Sequence, residues 1–245
     1  MITASNGIAA TITASAVLLA APVAAVDGEI LIDQARVLAG GITPGDAPGF
    51  PATLSRPGRY KLTGNLTVPA NTNGIEVTQH NVTIDLNGFT ISRDPPPDKN
   101  GIVGGKNGLR VTNGTIMGFN HGIYLVGAFA VIENIRLLDS RIAGVSATGN
   151  ARIHNNTIVY AVEGISVCVR CSIEQNLITY NSTGVSVSGG LVLGNAVVRS
   201  NLYGLSAYTS EPVGYGNNIL FESFQAPVYG PAIQLHPNVC EPACP

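Results

Sequence analysis

A four-residue pattern recurs down this chain: glycine, an aliphatic residue, any residue, then a small apolar one. The copies begin at Gly74, Gly122, Gly144, Gly164, Gly184 and Gly204, with a looser copy at Gly101 and a last one read at Pro231-Ala-Ile-Gln-Leu. From Gly122 onward the spacings are 22, 20, 20 and 20 residues. A second pattern runs in phase, an apolar residue followed by asparagine and a new strand: Ile132-Glu-Asn134-Ile, Ile153-His-Asn155-Asn, with further copies at Asn113, Asn176, Asn195 and Asn218. Each unit holds two or three strands of a few residues bounded by turn-forming residues, with no room for a helix of ten or more. A unit this small cannot bury its own apolar face, so copies must stack. Stacking in register gives an all-β, single-stranded parallel β-helix of about eight coils, a rod on the order of 35 Å long at ~4.8 Å per strand. Ile123, Val145, Ile165, Val185 and Leu205 form one inward column, and asparagine, which tolerates the left-handed conformation, turns a corner of every coil. The handedness preference of parallel crossovers favours the right hand. A propeller would need repeats about twice as long, and a leucine-rich repeat would show its Leu-x-x-Leu-x-Leu signature.

Composition narrows the function classes. Only 11% of the 245 residues are charged and the formal net charge is −2, which lacks the basic excess of a nucleic-acid binder. Residues 1–25 read as a signal peptide, apolar from Ile8 and ending in Pro22-Val23-Ala24-Ala25, although no Lys or Arg precedes the apolar run. The run is too short and alanine-rich for a membrane span. Residues 26–60 then hold an N-terminal cap and first coil, 61–235 the β-helix, and 236–245 a cysteine-containing tail. The cap is a short helix within 29–41, with apolar positions at Leu31, Ala35 and Leu38 and glycines where it stops.

Four cysteines fall in two close pairs, Cys168/Cys171 and Cys240/Cys244. In an exported chain they read as disulfides; of three connectivities, local pairing is favoured. Zinc is the weaker reading, since no histidine flanks either pair.

These coils resemble the pectate-lyase-like, right-handed β-helix repeats of secreted bacterial proteins. Val37–Pro51, Pro57–Val68, Asn81–Ile91 and the final Asn-Val-Cys240…Cys244-Pro are similar to a narrower group of exported β-helix proteins. The resemblance covers roughly residues 29–245 and implies the fold. It implies little about activity, because the superfamily holds lyases, hydrolases, epimerases and non-enzymes. It does imply where a ligand would lie: along the outward face of one parallel sheet.

Alternation assigns the outward positions of the glycine-repeat sheet to Glu76, Val103, Tyr124, Ser146, Ser166, Ser186, Ser206 and Gln234. Two residues on lie Thr78, Val126, Thr148, Cys168, Ser188 and Tyr208. This is a neutral ladder of hydroxyl and aromatic side chains. Calcium-assisted elimination needs clustered carboxylates, and glycoside hydrolysis needs two at a set separation; Glu76 alone supplies neither. Elsewhere, Asp85, His121, Asp139 and Arg141 are the candidates for catalysis, with Asp139 and Arg141 most simply an ion pair. The Asn-Thr-Asp, Asp-Asp and Arg-Ile-Lys motifs of polygalacturonases are absent. No motif implies a cofactor or a metal. The expectation is a non-catalytic exported scaffold whose neutral face, with Glu76, Tyr124, the four serines and Tyr208, meets polysaccharide or further copies of the protein. The alternative is a lyase, epimerase or hydrolase acting on acidic glycans.

Overall fold

In a computed structural model the chain is an all-β parallel solenoid of about nine turns, described over residues 28–93, 98–208 and 211–244. The segment read as a signal peptide lies outside the described residues. Every strand pairing is parallel, and the registers define three faces. On the glycine face one column runs Ala52, Ile75, Ile102, Ile123, Val145, Ile165, Val185, Leu205 and Val228. A second face stacks Tyr60, Ile84, Val111, Ile132, Ile153, Ile173, Val192 and Tyr215. The third stacks Leu66, Ile91, Ile116, Leu137, Ile158, Ile178, Val197, Leu220 and Cys240. Nearly all of these side chains are fully buried, each contributing about 1.5–3 kcal/mol of transfer free energy for the larger aliphatics.

The glycine repeat has a packing cause. A β-carbon at Gly122 would sit 2.3 Å from Leu137 Cδ2, at Gly144 2.4 Å from Ile158 Cγ2, and at Gly184 2.1 Å from Val197 Cγ1. The third face's aliphatic column fills the space a side chain would need, and none of these glycines has a positive φ.

The corner asparagines split into two adjacent columns. Asn87, Asn113, Asn134 and Asn155 carry φ of 50–60°, and Gln175, Gly194 and Asn217 continue that left-handed ladder. Asn176, Asn195 and Asn218 stand one residue further along, in register with Asn156, and are buried. Each buried amide donates Nδ2 to the next Oδ1, from Asn156 through Asn238, at 2.9–3.1 Å, and also to a carbonyl of an earlier turn. What reads as one corner device is a surface turn beside an internal hydrogen-bond ladder.

The N-terminal helix is shorter than expected. Ile30–Ile32 is a strand on the second face, and α1 spans Gln34–Ala39. Leu31, Ala35 and Leu38 are exposed; Ile32 and Val37 are the buried residues. Side chains from this segment occupy the first edge strands. Gln34 bonds both the N–H and the carbonyl of Thr67. Asp46 Oδ1 accepts from Thr53 N–H at 2.7 Å, and Thr43 Oγ donates to the Thr53 carbonyl at 2.6 Å. At the other end the final turn carries Pro227, Pro231, Pro237 and Pro242, residues that cannot donate to an incoming strand.

Candidate functional site

The expected outward column of the glycine face forms in two runs: Glu76, Val103, Tyr124, Ser146 and Ser166 stack in register, and beyond a register shift that follows Ile165, Ser186, Ser206 and Tyr229 do so. Its serines, however, are sealed. Their exposures are 8%, 7%, 0% and 3%, so they present no hydroxyl array. Small side chains sit between taller columns, and Ser186 spends its hydroxyl on Glu163 at 2.9 Å. Tyr208 stays 47% exposed.

Two assignments on this face change. The register slips between Ile165 and Cys168, so Cys168 faces inward opposite Val187 and Val169 takes the place beside Ser188. Gln234 belongs to the second face, paired with Tyr215. Glu163 is a residue the alternation misses: the register His121–Ala143–Glu163 sets it two rungs from His121.

The four catalytic candidates are not brought together. His121 stands on the glycine face, Nδ1 2.9 Å from Asn100 Oδ1 and its ring 5.1 Å from Tyr124. Burial pushes its pKa below the usual imidazole value, and the Glu163 charge pulls it part of the way back. Asp85 lies on the second face, where its Oδ1 accepts from Asn87 N–H and Asn113 Nδ2. It lines a polar cleft of about 520 Å³ with Arg59, Arg110, Thr112 and Glu133. Glu133, two rungs from Asp85 and so roughly 10 Å away along the axis, is paired with Arg110 through one oxygen and with His154 Nε2 at 3.2 Å through the other. Asp139 occupies a left-handed corner. Arg141 donates Nε to Asn120 Oδ1 at 2.8 Å instead of pairing with Asp139. Among the described residues no three His, Cys, Asp or Glu side chains converge as metal ligands. Both cysteine pairs are local disulfides, Cys168–Cys171 and Cys240–Cys244.

A groove lies on the corner that follows the third face, outside every position chosen by alternation. Here a second left-handed ladder runs Asp139, Tyr160, Tyr180, Arg199 and Glu222, with φ of 52–59°. Bulky residues rarely take this conformation, and strain of this kind concentrates at functional sites. It turns the side chains outward. Tyr160 and Tyr180 stack at 5.1 Å between centroids and remain 56% and 42% exposed. Arg199 lies over the Tyr180 ring at 5.0 Å, donates to its hydroxyl, and pairs through Nε with Glu222 at 2.8 Å.

Phe224, 87% exposed, forms another wall, and Glu241 and Pro242 of the Cys240–Cys244 loop close one side of a groove of about 740 Å³. Ser200 and Ser223 form its floor, almost fully buried, with their hydroxyls turned inward against Gly184 and Gly204. Chemically this is an aromatic shelf bordered by the exposed polar side chains of Asn201, Glu222 and Glu241. A sequence cue exists: Tyr160 and Tyr180 recur at the coil period of 20 residues. No protein family, no curated protein and no solved structure matches this chain.

Proposed function

We propose that the protein is an exported, non-catalytic solenoid that binds polysaccharide, with the Tyr160–Tyr180–Phe224 groove as its binding surface in place of the serine ladder. The observation that carries this reading is the exposed tyrosine stack, held in a left-handed backbone conformation at a corner of the solenoid. A pyranose ring offers an apolar face to an aromatic shelf and hydroxyls to the polar rim, the usual make-up of a ligand groove. Two local disulfides suit an oxidising compartment, and no helix among the described residues is long and apolar enough to cross a membrane. The resemblance to right-handed, pectate-lyase-like helices supports the same setting. Self-association is the weaker use of the rod, because side-chain hydrogen bonds occupy the first edge strands and prolines stud the last turn.

Catalysis on an acidic glycan is the second reading, favoured by the Asp85–Glu133 cleft. Hydrolysis would need a protonated carboxyl aimed at the leaving oxygen, whereas both oxygens of Glu133 are already engaged, one by the Arg110 guanidinium and the other by His154 Nε2. The experiment is affinity electrophoresis through gels containing pectin, alginate, cellulose-type and amino-sugar polymers. Retardation without loss of polymer supports binding. Cleared polymer that persists in Phe224→Ala and disappears in Glu133→Gln would transfer the function to the cleft.

A further inference from the structure

We infer that the groove selects a cationic sugar, an amino-sugar chain whose amines are free and protonated. The inference rests on the saccharide reading above and names the class of saccharide. Two observations carry it. First, Arg199 is neutralised within the groove by Glu222, which leaves Glu241 as a rim carboxylate that no other lining residue can neutralise, Arg199 being the one cation in the lining. Of the acids beyond residue 171, Glu174, Glu211 and Glu222 are paired with Arg152, Arg170 and Arg199, so Glu241 supplies the uncompensated charge at this end of the rod and attracts cations.

Second, the walls are ring faces, which bind cations through their quadrupoles. Tyr180 already does so with Arg199 at 5.0 Å, while Tyr160 and Phe224 remain more than half exposed. A uronic acid chain would instead bring its carboxylates against Glu222 and Glu241.

The test is calorimetric titration of the full-length protein with three oligomers of equal length: glucosamine, N-acetylglucosamine and glucose, the last two β-linked and uncharged. The expected result is binding of the glucosamine oligomer at least ~10-fold tighter than either neutral one. Glu241→Gln should erase most of that preference, and Phe224→Ala should weaken all binding. Both residues are exposed, so neither substitution threatens folding. Equal affinity for the three oligomers would overturn the charge selectivity and leave the saccharide reading standing. A preference for glucosamine that survives Glu241→Gln and Phe224→Ala would overturn the assignment to this groove. Binding of none of them, nor of any polymer in the gels, would remove both readings.

Discussion

Asn176 donates its Nδ2 to Oδ1 of Asn195, one turn further along the rod, at 2.9 Å, and the same amide bonds the Ile153 carbonyl at 2.9 Å. Both side chains are almost wholly buried, so the contact is sheltered from competing water. Asn176→Ala would leave Asn156 N–H and the Ile153 carbonyl without these partners, at a cost of about 3 kcal/mol. Asn155→Gly, at the exposed left-handed corner next door, should change stability by only a few tenths of a kcal/mol. Denaturant midpoints of the two variants check the difference; equal losses would dissolve the distinction between the columns.

Gly144→Ala places a methyl 2.4 Å from Ile158 Cγ2 and 2.8 Å from the Gly164 carbonyl. A loss of about 1–3 kcal/mol is expected from overpacking. Gly105 has no positive φ, and a methyl there would meet nothing within 4 Å, so it should accept alanine with no measurable change in Tm. If both positions accept alanine equally, the repeat is not a packing device.

The glycine pattern and the in-phase apolar residues suffice to read the parallel solenoid, because a 20-residue unit has no other way to bury its face. The columns on the glycine face are also legible, since alternation gives side-chain direction. Depth is not: alternation cannot tell that Ser186 lies beneath Glu163. Nor can it pass a bulge, which is why it points Cys168 outward. The aromatic groove escapes it for a related reason. Tyr160, Tyr180 and Arg199 sit on a left-handed corner where the two-residue period breaks, and Phe224 and Glu241 come from different turns that only the folded rod brings together.

Asp46 ties down both Thr53 N–H and Ile42 N–H. Asp46→Ala frees an edge-strand donor, and it should lower stability by about 2 kcal/mol and raise aggregation measured by light scattering. An Asp46→Ala protein that stays monomeric at high concentration would show that this edge needs no such protection.

His121 makes stability acid-sensitive in a defined window. Its folded-state pKa lies below the reference 6.5 because burial disfavours the cation. As pH falls through 6.5 the unfolded chain takes up a proton that the folded chain does not, so stability declines toward the folded pKa and is level above 6.5. Glu174, held below its reference 4.5 first by the Ser172 hydroxyl and then by Arg152, adds a further loss only as pH falls below that value. His121→Gln should therefore flatten the unfolding profile between about pH 6.5 and 4.5 while leaving the more acidic limb intact. An unchanged slope in that window would contradict the assignment.

Binding at the aromatic corner is the central claim, and affinity electrophoresis of the parent protein beside Tyr160→Ala, Phe224→Ala and Ser186→Ala tests it most directly. The account predicts retardation of the parent and of Ser186→Ala in at least one polysaccharide gel, at least ~10-fold weaker retention of the other two variants, and no loss of polymer. Retention that is lost in Ser186→Ala and kept in Tyr160→Ala and Phe224→Ala would contradict it.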